Sequence, residues 1–151
     1  MRLIMFKLIQ MNKFDTKYLP YFPIFGLGLY IIAFTFSASA YPGGSINYPH
    51  ANGYSFYHNF LCDTMNPITQ SGIINNARFL AIISHLILSF TMISFFYILP
   101  KIFDVKNRNT TLIAYFGIAA MTVFIFIYTE YHDLIVTITG VLGAIALIPF
   151  F

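Results

Sequence analysis

The sequence predicts an all-α integral membrane protein, a helical bundle of four transmembrane helices with a long first external loop. Hydrophobic residues make up 58% of the chain and charged residues only 9%, whereas soluble domains average roughly 25% charged residues. Four apolar stretches also reach or approach the about 20 residues that a helix needs to cross the hydrocarbon core of a bilayer. A soluble fold with so few charges would expose too much apolar surface, so lipid is the expected surrounding.

Apolar composition places four helices in a single transmembrane domain. They are predicted at about residues 21–40, 79–99, 111–129 and 134–151. Pro20 lies beside the first turn of the first helix, where a missing N–H is tolerated, and Pro42 and Pro100 follow the first and second helices. The fourth helix is barely long enough to cross.

The distribution of cations predicts the orientation. Seven of the eight Lys and Arg residues fall on one side: Arg2, Lys7, Lys13 and Lys17 before the first helix, and Lys101, Lys106 and Arg108 between the second and third. Only Arg78 lies in the long loop 41–78. By the positive-inside rule, segment 1–20 and both termini are expected in the cytoplasm. The net charge of +3 comes from these helix ends, so no nucleic-acid partner is expected.

An alternative for the first helix is a cleaved signal peptide. Ala38-Ser39-Ala40 follows an apolar run and resembles a signal-peptidase site. The cationic region before it is long and the apolar run exceeds a usual signal core, which favours an uncleaved helix. Cys62 is the single cysteine, so no disulfide can form within the chain, and a packed thiol is the expected state.

The external loop carries the most distinctive residues. Tyr41-Pro42-Gly43-Gly44-Ser45 predicts a turn at its start. A structureless loop of this length is unusual, so we expect it to pack on the outer ends of the helices. Residues 55–63 are compatible with a short interfacial helix that places Phe56 and Phe60 on one side.

Three motifs in this region, at residues 41–45, 53–56 and 59–63, resemble the first external loop of an uncharacterised membrane-protein family, domain of unknown function 998. The chain is also distantly similar to the Frag1/DRAM/Sfk1 group, which has an aromatic-x-Ser-Asp element. The resemblance covers residues 34–99 and implies a bacterial or archaeal cell membrane. Cys62 stands where Ser is usual. Such families typically have about six helices, so the resemblance implies a short or truncated member whose open helix face binds a second copy or a partner subunit.

Polar residues at membrane depth are costly, so each one is a candidate for function. The candidates for a polar site near the outer membrane face are Ser37, Asn59, Asp63, His85, Ser89, Glu130 and Asp133. In the second helix, Ser84, His85, Ser89 and Thr91 share one side. That side is expected to face the bundle, where such residues commonly form hydrogen bonds between helices.

An enzymatic site stays an open alternative. Weak catalytic candidates are His58, Asp63, His85 and His132, and the last three are also weak metal candidates, since imidazole and carboxylate suit zinc. The sequence contains no His-x-x-x-His or His-Glu-x-x-His motif. An enzyme is therefore not the favoured hypothesis. No cofactor is predicted, and zinc enters only with the enzyme.

The sequence leaves three functions open. The first is a small multipass membrane protein with a structural, sensory or accessory role. The second is a lipid-binding or transporter-like protein with an outward-facing polar pocket, and the third is an intramembrane metal-dependent lipid hydrolase. Membrane lipid is a partner in each. Two small-residue pairs, Ala33 with Ser37 and Gly140 with Ala144, predict close helix contacts, either within the chain or with a homo-oligomer or partner subunit.

Overall fold

The computed structural model describes residues 18–102 and 107–150. They form four α-helices, which are α1 Tyr21–Ala40, α2 Arg78–Ile102, α3 Arg108–Phe124 and α4 His132–Leu147. Short 3₁₀ helices at Leu61–Met65 and Ile148–Phe150 complete the helical structure. Within the described ranges there is no β-strand beyond two isolated bridges, which confirms the all-α prediction. The predicted cytoplasmic segment up to residue 17, Lys106 and Phe151 lie outside these ranges.

Two of the four helices are long and apolar enough to cross a membrane. They are α1, with 20 residues, and α2, which qualifies over 24 residues from Arg78 to Lys101. Helix α3 has 17 residues and α4 has 16. Their lengths of about 26 Å and 24 Å by the α-helical rise fall short of the roughly 30 Å hydrocarbon core.

Helix α3 ends five residues earlier than the sequence predicts. The carbonyl of Phe124 accepts from the N–H of Ile127 at 3.1 Å and lies 2.8 Å from Nε2 of His85. Residues 125–131 continue as turns, with Thr129 N–H donating to Phe126 O three residues back. The i to i−3 bonds replace the α-helical ladder, so the helix stops. By contrast, α2 extends three residues past its predicted end at residue 99, so that Pro100 lies inside the helix, which ends at Ile102.

The helices pack in the order of the chain, α1 on α2, α2 on α3 and α3 on α4. Among the described helices, α1 therefore contacts mainly α2, and only Phe34, Ser37 and Ala38 of α1 are buried. An apolar core lies where the loop meets the other three helices and contains Met65, Ala81, Ile127 and Ile135. The structure is a row of helices with one capped end.

Glycines set the distance between neighbouring helices at two places. A Cβ at Gly26 would overlap the side chain of Thr91 on α2, and a Cβ at Gly117 would overlap the ring of Phe96. The predicted pair of Ala33 and Ser37 lies on the α2 side of α1, since Ser37 is fully buried. Gly140 faces open space. One predicted small-residue pair therefore serves an internal contact, and the other lies on an open face.

Candidate functional site

Residues 41–77, called the cap below, connect α1 to α2 and begin with a fixed turn. Tyr41 is buried, and its hydroxyl donates to the carbonyl of Gly44 at 3.2 Å. Gly44 has a φ of +85°, and a Cβ there would lie 2.5 Å from the N of Ser71 and 2.9 Å from the O of Pro49. Both neighbours are backbone atoms that cannot rotate away. The turn that the sequence predicts thus needs glycine for its dihedral angle and for space.

Asp63 and Asn59 form the centre of the cap. Asp63 is only 5% exposed, and its Oδ2 accepts from the N–H of Phe60 at 2.9 Å and from Nδ2 of Asn59 at 3.1 Å. The same Nδ2 donates to Gly44 O at 2.8 Å, while Oδ1 of Asn59 accepts from the N–H of Ser55 at 3.1 Å. The buried carboxylate is thereby compensated, as a buried charge must be, and it ties three parts of the cap together.

This arrangement corrects the prediction of a helix over residues 55–63. The N–H of Phe60 donates to the Asp63 carboxylate, so it is not used in an α-helical bond to Phe56. Phe60 has an extended backbone, and the helical piece is the 3₁₀ helix Leu61–Met65 that follows it. Phe56 and Phe60 are both exposed, at 73% and 64%.

Asn75 joins the cap to the start of α2, a role that the sequence analysis did not identify. It is buried, and its Nδ2 donates to Thr64 O and Asn66 O, each at 2.8 Å. Its Oδ1 accepts from the N–H of Ala77 at 3.0 Å. An Asn just before a helix is a typical N-terminal capping signal, and this signal could have singled it out.

Two further bonds fix the cap to the helices. Ser37 Oγ of α1 donates to the carbonyl of Ala77 at 3.3 Å, and both residues are buried. Arg78 Nε, in the first turn of α2, donates to Met65 O at 3.0 Å. Ser37, a predicted polar-site residue, therefore binds backbone at the junction of α1, the cap and α2.

Aromatic side chains pack the cap against the end of α1. Tyr54 lies edge-on to Phe34 of α1 at 5.6 Å, to Phe56 at 5.1 Å and to Tyr41 at 6.1 Å between ring centroids. Burial, helped by the nearby Asp63 charge, raises the pKa of Tyr54 to about 12. The phenol therefore stays protonated at neutral pH and is no proton acceptor there.

Cys62 is a packed thiol rather than an activated one. Its side chain is half-buried against the core around Met65. Burial raises the pKa of the Cys62 thiol, and the charges of Asp63 and Asp133 raise it further. A reactive cysteine needs the opposite setting, one that lowers the pKa. The ring of His58 packs on that of Tyr48 at 4.5 Å. The half-buried position and the raised pKa of Cys62 support the packed thiol that the sequence predicts.

His85 is buried between helices, at 6% exposure. Its Nε2 lies 2.8 Å from Phe124 O and 3.4 Å from Ser89 Oγ, and its ring packs edge-on to that of Phe124 at 4.6 Å. The last carbonyls of a helix lack partners within the helix, so a donor at this position completes the end of α3. Ser84, His85, Ser89 and Thr91 are all buried, so this side of α2 faces the interior as its spacing predicts.

The remaining candidates lie at the turn between α3 and α4. Nδ1 of His132 is 3.0 Å from Oδ1 of Asp133, and Glu130 is exposed. The residues that the structure describes contain no group of three or more His, Cys, Asp or Glu side chains placed to hold a metal ion. The predicted set of Asp63, His85 and His132 is therefore not brought together as such a group.

Comparison of the chain with protein-family models, with curated proteins and with solved structures gives no match.

Proposed function

We propose that this protein is a small multipass integral membrane protein with a structural, sensory or accessory role. In this proposal all four helices cross the membrane, the cap lies outside and both termini lie in the cytoplasm. The two apolar helices α1 and α2 support insertion. Lys101 at the end of α2 lies 3.8 Å from the centroid of the Tyr97 ring, and Lys and Tyr together are typical of a membrane interface.

The observation that carries this proposal is that the candidate polar side chains Asp63, Asn59 and His85 bind other groups of the protein. Asp63 and Asn59 bind each other and the backbone of the cap, and His85 binds the end of α3. A general base or metal ligand must present its polar atoms to a substrate or metal. Here those atoms hold the fold, which favours a structural role over the hydrolase.

Because α3 and α4 are shorter than the hydrocarbon core, their proposed membrane crossing depends on the residues that follow each helix. The turn at residues 125–131 follows α3, and the 3₁₀ helix Ile148–Phe150 follows α4. Both extend the apolar path beyond the α-helical lengths. The resemblance to domain of unknown function 998 and a cell-membrane location in a bacterium or archaeon are part of this proposal, as are lipid, a second copy or a partner subunit on the open face around Gly140.

Single cysteines on the three connections test the topology. In a Cys62→Ser background, Tyr57→Cys probes the cap, Asn109→Cys the start of α3 and Glu130→Cys the α3–α4 turn. All three native side chains are exposed, Tyr57 at 94%. An impermeant maleimide on intact cells should label the first and third positions, and the second only after permeabilisation.

The pattern of labelling separates the possible arrangements. Labelling of Glu130→Cys together with Asn109→Cys, both only after permeabilisation, would show that α3 does not cross the membrane. Labelling of Tyr57→Cys and Asn109→Cys from the same side would show that α2 does not cross and would overturn the proposal. Resistance of the unlabelled chain to alkaline carbonate extraction checks membrane integration separately.

A further inference from the structure

The cap reaches down the side of α1 as well as covering its end. The ring of Phe56 packs against that of Phe34 with 6.3 Å between centroids, and Tyr54 packs against the same ring at 5.6 Å. Phe34 lies six residues before the end of α1 at Ala40, which is about 9 Å along the helix, and helical side chains tilt further toward the N-terminus. Because this depth exceeds the separation of the two rings, Phe56 lies below the outer end of α1.

Phe56 is nevertheless 73% exposed. In the proposed topology the 20 residues of α1 span the hydrocarbon core, so the surroundings at the level of Phe56 are lipid. Hydrocarbon removes the cost of leaving an apolar ring in water, which is of the order of 2 kcal/mol for a Phe side chain. The depth of Phe56 thus distinguishes it from an aromatic residue at the water-facing tip of a loop.

The surface of the cap carries no fixed charge. Residues 41–77 contain no Lys, Arg or Glu, and the single Asp in this range, Asp63, is buried. A soluble partner protein is commonly steered and oriented by charges around its binding surface, and the cap offers none. An uncharged surface is, by contrast, what contact with hydrocarbon requires.

The irregular backbone around Phe56 pairs its donors internally. The N–H groups of His58 and Asn59 donate to Ser55 O at 3.2 Å and 2.9 Å. The N–H of Ser55 donates to Oδ1 of Asn59, and the N–H of Phe60 donates to Oδ2 of Asp63. Non-helical backbone at membrane depth needs such partners, since lipid supplies none. The Asn59–Asp63 pair therefore provides what a water-facing loop would obtain from solvent.

We propose that the cap segment around Phe56 lies in the outer leaflet, where the Phe56 side chain binds phospholipid hydrocarbon beside α1. This inference rests on the proposed membrane integration. The neighbouring Tyr57, which is 94% exposed, stays within reach of water at the headgroup level, where Tyr is common. The cap is then a lipid anchor as well as a connection between α1 and α2.

Single tryptophans test the proposal, because the chain contains no native Trp. Phe56→Trp probes the cap, Phe36→Trp an exposed position of α1, and His50→Trp an exposed position in the polar turn of the cap. Each full-length variant is reconstituted in phosphatidylcholine nanodiscs with or without bromine on the acyl chains, and circular dichroism checks its helix content. Brominated lipid should lower the emission of Phe56→Trp and Phe36→Trp about twofold, as for aromatic residues in contact with acyl chains. His50→Trp should be quenched by aqueous iodide instead.

A smaller side chain provides a second measurement, in case Trp is not tolerated at position 56. In a Cys62→Ser background, Phe56→Cys should react about tenfold more slowly with an impermeant maleimide than His50→Cys, because a desolvated thiol resists ionisation. Equal rates at the two positions would overturn the proposal.

The quenching pattern separates failure of this inference from failure of the proposed function. Quenching of Phe56→Trp by iodide and not by brominated lipid would overturn the inference, and so would quenching by neither, which would place a protein surface over Phe56. In both cases bromine quenching of Phe36→Trp would leave membrane integration supported. Absence of bromine quenching at Phe36→Trp would contradict the proposed function itself.

Discussion

The cap and the α1–α2 helix pair are held together by different kinds of contact. In the cap, buried polar groups such as Asp63 and Asn75 bind backbone that is not in regular helix. Between α1 and α2, contact depends on shape, with Gly26 against Thr91. Irregular backbone must find hydrogen-bond partners when it is buried, whereas a helix satisfies its own backbone and needs only close packing.

The two regions meet at Ser37 and Ala77. The hydroxyl of Ser37 donates to Ala77 O, and the N–H of Ala77 donates to Asn75. One buried residue therefore takes part in both the helix contact and the polar network of the cap. Substitutions in the cap and in the helix pair are therefore expected to lower the free energy of unfolding by different amounts, which the following variants measure.

The largest effect is expected for Asp63→Ala in the cap. It removes the acceptor of two part-buried hydrogen bonds, from Phe60 N–H and from Asn59 Nδ2, and leaves Asn59 Nδ2 with its bond to Gly44 O. Hydrogen bonds to a charged group contribute roughly 1.5–3 kcal/mol each, so we expect the free energy of unfolding to fall by about 3 kcal/mol. Unfolding by dodecyl sulfate in mixed micelles measures this change.

Asp133→Ala is the matched control for this substitution. Its carboxylate is exposed and bonds only His132 among the described side chains. Exposed pairs contribute about 0–1 kcal/mol, so this variant should unfold close to the wild type. Equal losses in the two variants would show that the Asp63 network does not hold the cap.

The sequence was sufficient to predict features that depend on neighbouring residues. Helix α1 begins and ends at the predicted residues 21 and 40, since a long apolar run and its prolines define it. The Gly and Pro residues at 42–44 predict the turn, and the spacing of the polar residues in α2 predicts which of its sides faces inward. These features need no knowledge of a distant partner.

What the sequence could not predict were partners from other elements. His85 binds a carbonyl at the end of α3, 39 residues away, and nothing in its local pattern indicates where α3 stops. Asp63 has acceptor capacity that a metal could use, but it accepts from Phe60 N–H three residues before it. A single outer polar site was expected because Asp63 lies in the predicted external loop and His85 lies near the outer end of the predicted second helix. In the structure, Asp63 instead binds within the cap and His85 binds the end of α3.

A smaller effect is expected in the helix pair. Gly26→Ala would place a Cβ against the Thr91 side chain, whose hydroxyl is bonded to Ile87 O. Overpacking of this kind costs roughly 1–3 kcal/mol, and part is offset because Ala favours the helix over Gly. A net loss of about 1 kcal/mol is expected in the same micelle assay.

Gly28→Ala provides the comparison within the same helix. Nothing lies within 4 Å of a Cβ built at Gly28, so only the helix preference for Ala acts. This variant should match the wild type or be slightly more stable. If Gly26→Ala and Gly28→Ala behaved alike, close approach at Gly26 would not be what joins α1 to α2.

The smallest effect is expected at Cys62, where the cap meets the apolar core. Burial first, and then the charges of Asp63 and Asp133, hold the pKa of this thiol above its ordinary value of 9.0. Below that value the thiol is protonated in both the folded and the unfolded chain, so it makes no difference to stability. As the pH rises through 9.0, the unfolded chain releases its proton first, and unfolding becomes more favourable. Alkylation by iodoacetamide should therefore accelerate at a higher pH in folded protein than in chain denatured by dodecyl sulfate.

Cys62→Ser separates this contribution from that of the buried tyrosines. Burial also raises the pKa of Tyr41 and Tyr54, so with rising pH the wild-type chain should lose stability from these tyrosines as well as from Cys62. The serine variant should lose less between pH 9 and the folded-state pKa of the thiol, and the difference belongs to Cys62 alone. Identical pH profiles for the two chains, or a folded thiol that reacts as fast as the denatured one, would place Cys62 in water instead of against Met65. The cap would then rest on its hydrogen bonds without the apolar contact that joins it to the helix row.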